Sequence, residues 1–158
     1  MSERRSPVPT VHTVTRATRV VVGRVEAGAE LHAALLEAAR WERIDAAAVR
    51  GQGVVEEAAL ALYDPAARAH AAAESVDGVA ELASLSGTVS LRDGVPDLVL
   101  HAVLARAGEG RTEVSAGLLL RARAVAVEFT MEVWDECTLD RREDPTTGLA
   151  LWAPPGRR

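Results

Sequence analysis

The sequence predicts an α+β fold: a bent, mostly antiparallel sheet of about seven strands packed on one main helix. Three observations predict it. Leu85, Gly87, Val89 and Leu91 alternate with Ser86, Thr88 and Ser90, the period of a half-buried strand. Arg92-Asp93-Gly94-Val95-Pro96 breaks that run before a return strand over 98–105. A second alternation over 124–134 sets Val125, Val127, Phe129, Met131 and Val133 against Glu128, Thr130 and Glu132. One helical segment, 29–43, carries a single apolar stripe of Leu31, Leu35, Ala38 and Ala39.

Taken in order, residues 1–10 contain Pro7 and Pro9 and read as a disordered lead-in. Residues 11–25 alternate loosely and are expected to form the first strand or two. Gly28 precedes the helix, with Glu30 near its start and Arg40 and Arg43 near its end, the charge order that suits the helix dipole. Residues 46–49 form a short apolar strand that runs into Arg50-Gly51-Gln52-Gly53. A strand followed by Gly-x-Gly invites a dinucleotide-binding reading, but Glu56 stands where the third glycine belongs. The next segment, 56–63, patterns as another strand and not as a phosphate-binding helix, so a tight turn or bulge is expected there. Asp64-Pro65 opens a turn, and a modest strand follows near 70–76.

The hairpin over 81–104 is the centre of the chain. Asp93-Gly94 is its turn, because glycine accepts the positive φ that a tight hairpin needs. The return strand is apolar on both faces apart from His101. Such a strand must be covered twice, once by its own domain and once by a neighbouring subunit. Residues 106–111 make a second turn, and a strand runs on to about Leu120. After Trp134 the chain becomes charged and turn-rich, and 153–158 reads as a disordered tail. A single domain therefore spans 11–152.

Composition limits the function. At 158 residues and 48% hydrophobic, the chain is long enough to bury one real core. Its net charge is −5, and because the two ends are basic, residues 11–152 carry −8. An acidic body repels the phosphate backbone whose neutralisation supplies most non-specific DNA affinity. The one cysteine, Cys137, excludes an internal disulfide and suits a reducing cytoplasm. No apolar run is long enough for a membrane helix, and no signal-peptide core is present, so a cytoplasmic location is expected. All 18 basic residues are arginine, which is read as a coding bias and not as selection for guanidinium forks.

Several segments, in order, resemble the PPC domain, the "plants and prokaryotes conserved" family also described as PD1-like DNA-binding. They are Tyr63-Asp64-Pro65; Gly78-x-x-Glu81-Leu82-x-Ser84-Leu85-Ser86-Gly87; Ser90-Leu91-x-Asp93-Gly94-x-Pro96; Leu100-His101-Ala102-Val103-Leu104; and Leu139-x-Arg141-Arg142-x-Asp144-Pro145-x-Thr147-Gly148-Leu149. The resemblance covers about residues 17 to 151. It implies the bent-sheet architecture and assembly as a homotrimer. In plant members a segment before the Ser-Leu-Ser-Gly is associated with partner binding. Here that segment keeps Gly78, Glu81 and Leu82 but lacks the Arg and Phe.

The resemblance also implies a metal site, often zinc, in which a histidine at the position of His101 meets a second one in a Gly-His-Leu motif. Here that motif reads Gly117-Leu118-Leu119, so Leu118 replaces the second ligand. Zinc needs three or four donors, and His12, His32 and His70 have no motif spacing to His101. A neutral core histidine hydrogen-bonded to a backbone carbonyl or to a serine such as Ser86 or Ser115 is expected, with no bound metal. Catalysis is not expected. Ser84 and Ser86 lack the Gly-x-Ser-x-Gly elbow, and the carboxylates beside Cys137 would raise its pKa. The chain also lacks the Arg-Gly-Arg-Pro AT-hook of plant members. The leading reading is a non-enzymatic homotrimeric assembly domain that regulates through protein partners. One alternative is direct DNA binding through Arg121, Arg123, Arg157 and Arg158. A second is a metal- or small-molecule-binding protein with its site at a subunit interface.

Overall fold

A computed structural model describes residues 10–154, together with the backbone of Gly156 and Arg157. The expected lead-in lies outside the described residues except for Thr10, as do Arg158 and the Arg157 side chain. The described chain is built from β1 (Arg19–Val25), α1 (Leu31–Trp41), β2 (Ala47–Ala61), β3 (Tyr63–Asp64), β4 (Ala69–His70) and β5 (Glu74–Arg92). It continues with β6 (Val95–Ala107), β7 (Thr112–Val133), β8 (Cys137–Thr138), β9 (Asp140–Asp144), β10 (Leu149–Trp152) and β11 (Gly156–Arg157). Seven strands form the main sheet in the order β1-β7-β2-β5-β9-β10, with β6 joined to both β5 and β7. Strands β2, β5, β6 and β7 therefore close a ring, which is what bends the sheet. All of its pairings are antiparallel except β5 with β9.

The helix forms where its stripe predicts. Leu31, Leu35 and Ala39 are fully buried, and the Glu30 carboxylate caps the first turn by accepting from the N–H groups of His32 and Ala33. That places an acceptor on donors no helical carbonyl can reach. Gly28 turns the chain into the helix at φ 84°. Inside the sheet the core gathers Leu82, Leu85, Val89, Leu98, Leu100, Leu104, Val127 and Met131 with these helix residues.

Four expectations change. The first strand begins at Arg19, and residues 11–18 contribute no strand. The predicted break at Gly51-Gln52-Gly53 is a bulge inside one continuous strand, since β2 shifts register between Gly51 and Gly53 and again between Glu56 and Ala58. A Cβ on Gly53 would stand 1.9 Å from the Ala126 carbonyl, at φ 143°, so only glycine lets β2 and β7 approach there. Val125 is half-exposed and not in the core. Between Val54 and Val55 the partner residue jumps from Ala126 to Ala124, and that extra residue reverses the facing of β7.

The last change lies after Trp134, where the charged segment adds β9 and β10 to the sheet. The expected tail extends this order: the Ala153 N–H donates to the Asp140 carbonyl, and Gly156–Arg157 pair with Cys137–Thr138. At the central hairpin the expected turn is present, with Asp93 at φ 53° and Gly94 at φ 77°, and Arg92 paired to Val95. Two consecutive positive φ values are the type I′ geometry whose twist matches antiparallel strands.

Candidate functional site

Strand β6 decides what lies inside and outside. Leu98, Leu100, Ala102 and Leu104 are buried, so Val99, His101 and Val103 must project from the opposite face. His101 is consequently exposed in a single chain, which corrects the expectation of a core imidazole. Burial lowers its pKa nonetheless, and the nearby His70 and Arg141 push the same way, so the ring is neutral near pH 7. Ser86 of β5 stands directly across from His101 on one side, and Leu118 of β7 on the other. Ser115 pairs with Leu104 and lies out of that row.

The row continues across the sheet, because Ser86 also pairs with Arg50 of β2, and Arg50 with Thr130 of β7. Directly opposed residues in antiparallel strands share a face. Four strands thus set Thr130, Arg50, Ser86, His101 and Leu118 side by side, and all but Leu118 are exposed. At the β1–β7–β2 end lies an open basin of 580 Å³, walled by Val22, Arg24, Arg50, Gln52, Glu128 and Thr130.

Beside this row a turn cluster holds the outer face of β5. Arg141 donates to Ser90 Oγ at 2.8 Å, Thr88 Oγ1 at 2.9 Å and the Ala150 carbonyl at 2.8 Å, and its guanidinium lies over the Trp152 ring. That network satisfies Ser90, the buried polar residue of β5. Tyr63 stacks edge-on against His70 and donates to the Thr147 carbonyl, tying the Asp64-Pro65 and Asp144-Pro145 turns together. His70 has no motif spacing to His101. Strand spacing could not reveal that the fold brings the two within electrostatic reach.

The residues present do not fit a metal within one chain. Leu118 occupies the cross-strand position facing His101, and no group of three or more His, Cys, Asp or Glu able to hold an ion occurs among the described residues. Cys137 is buried in a small cluster with Ala46 and Leu139, and burial pushes its thiol pKa up, away from the reactive thiolate.

The other candidate residues separate. Gly78, at φ 75°, and Glu81 are on the surface, but Leu82 is fully buried among the core residues. A partner therefore cannot reach Leu82 without opening the core, because strand alternation turns it inward. Arg121 and Arg123 are exposed two residues apart on β7, yet their surroundings are acidic. Arg123 donates to Glu57 at 3.0 and 3.2 Å and to the Gly28 carbonyl, and Glu56 lies 3.9 Å away. Their shallow cleft is also lined by Glu30 and Asp77. This does not make a strip that attracts phosphates.

The comparisons agree with this architecture. The family model for the Plants and Prokaryotes Conserved (PCC) domain matches residues 12–134. Among curated proteins, none matches. A crystal structure of a metal-containing protein from Archaeoglobus fulgidus is similar at 27% identity and TM-score 0.82, covering 89% of this chain and 96% of its own. A plant- and prokaryote-conserved protein from Pyrococcus horikoshii is 28% identical, with TM-score 0.80 over 91% of this chain and 97% of its own. A Bacteroides thetaiotaomicron protein, described provisionally as DNA-binding, shares the fold at 22% identity and TM-score 0.78, covering 92% of this chain and 99% of its own.

Proposed function

The chain belongs to the Plants and Prokaryotes Conserved domain family, and from that premise we propose that it is a non-enzymatic, cytoplasmic homotrimer that regulates through protein partners. One observation carries the reading. The outer face of β6 and β7 leaves Val103, Val114 and Leu120 at 36%, 64% and 46% exposure in a single chain. Contiguous exposed apolar strands mark a surface that another molecule covers. A second copy is the occupant that suits a family whose members assemble with themselves. Gly78 and Glu81, at the exposed start of the neighbouring strand, are the positions assigned to a further protein partner. No zinc is assigned to His101, because Leu118 faces it.

Light scattering on the purified protein tests the assembly, with an expected mass three times the 16.7 kDa of one chain. Val103→Arg places a charge where a dry contact is proposed and is expected to release folded monomers. A wild-type mass near one chain would overturn the reading. The runner-up is direct DNA binding, supported by Arg121, which forms no ion pair among the described residues, and by the tail arginines Arg157 and Arg158. The body charge of −8 and the acidic neighbours of Arg123 argue against it. Nanomolar binding to duplex DNA with a steep salt slope, lost on mutating Arg121 and Arg123, would establish it instead.

A further inference from the structure

We propose that the outer row of Arg50, Ser86 and His101 binds a small oxyanion, a phosphate monoester, seated over Ser86, on the β2–β5 side of the face where Val103, Val114 and Leu120 are proposed to meet a second copy. The register carries the argument. Ser86 is paired to Arg50 on one side and to His101 on the other. Neighbouring strands lie about 4.8 Å apart, so the Arg50 and His101 side chains stand about 10 Å apart at their bases with a hydroxyl between them. A guanidinium and an imidazole on either side of a hydroxyl can supply N–H and O–H groups to one ligand from three directions. That suits a tetrahedral oxyanion better than a planar carboxylate with two oxygens.

The local charge points the same way. The Arg50 side chain is exposed and makes no ion pair or hydrogen bond among the described residues, although the body of the chain is acidic. The charged groups that act on His101 are His70 and Arg141, and neither is a carboxylate. Arg141 spends its bonds on Ser90, Thr88 and Ala150 and serves as fixed positive charge. Thr130 extends the row beyond Arg50, and the adjoining 580 Å³ basin gives room for the organic part of a monoester. Glu128 is the carboxylate of that basin, and it disfavours a second anionic group there. A cation is the wrong ligand for this row, since Arg50 repels it and Leu118 offers no donor.

Titrating the full-length protein with inorganic phosphate, while following the His101 ring by NMR, tests the site. Saturable shifts of His101 are expected, with its pKa raised by about 1 in bound protein, equivalent to tenfold tighter binding to the protonated ring. Affinity should therefore fall as pH rises through that raised pKa. Arg50→Gln lies on the surface, is expected to keep the fold, and should weaken phosphate at least tenfold. Acetate at the same concentration should bind at least tenfold more weakly. Non-saturating shifts, unchanged affinity in Arg50→Gln, or equal response to acetate would each overturn the proposal. So would zinc shifting His101 where phosphate does not, or a short DNA duplex displacing phosphate from it.

Discussion

The two faces of β6 differ in what they owe to the fold. On the inner face Leu98, Leu100, Ala102 and Leu104 are at most 4% exposed, packed against α1 and the rest of the closed sheet. On the outer face Val99 is only half-buried, His101 is exposed, and Val103 stays 36% exposed. One strand thus spends half of its side chains on folding and holds the other half available. In sequence both halves look equally apolar, apart from His101. The difference arises because α1 covers only one side of a sheet that has two.

Breaking the inner face should have the largest effect. Leu100 is fully buried, so Leu100→Ala removes methyl groups and leaves a cavity the ring of strands cannot collapse to fill. A loss of about 3 kcal/mol is expected, the usual scale of Leu-to-Ala changes in cores. Urea unfolding should show it as a lower midpoint at unchanged slope. A loss below about 1 kcal/mol would mean that the inner face is not the packed side. An outer-face change such as Val103→Arg should, by contrast, alter the assembly while leaving each chain folded.

A smaller inner-face effect is expected at His32, which no motif or spacing singles out. From α1 its Nε2–H donates to the Leu98 carbonyl at 2.6 Å, joining the helix to the first residues of the inner strand. His32→Ala should therefore cost about 1 kcal/mol, one hydrogen bond, visible in the same unfolding measurement. The corresponding change on the outer face, at His101, should cost less.

Much of this architecture was legible beforehand, and what was not has specific causes. The helix stripe, the Asp93-Gly94 turn and the alternation over 85–91 report local geometry, and each sits where its periodicity places it. Bulges defeated the same reasoning. The residues around Gly51 to Gly53 and Glu57, at φ 52°, look like a break in sequence because an inserted residue spoils the alternation. The β2 backbone runs through them, since β5 and β7 pair with it on both sides. The strands after Trp134 were missed because their stability comes from pairing with β5 and from the Arg141 bonds, neither of which a charged local pattern displays. The Arg50–Ser86–His101 row has no sequence spacing at all. Three strands separated by the short β3–β4 pair and by the Asp93-Gly94 turn supply it, so only the register reveals it.

The outer histidine sharpens the comparison further, through pH. Partial burial together with His70 and Arg141 lowers the His101 pKa in the folded chain below its unfolded value. The unfolded state therefore takes up the proton first as pH falls. Stability contributed by keeping this ring neutral is complete above about pH 6.5 and is lost as pH drops from there through the lowered folded value. Because His101 is exposed, solvent screens most of that effect, and only a shallow slope of the unfolding midpoint between pH 7 and pH 5 is expected. His101→Gln should leave stability at pH 7.5 nearly unchanged and flatten that slope. A large loss at pH 7.5 would show instead that the imbalance between the two faces of β6 is smaller than the exposure of Val103 and His101 implies.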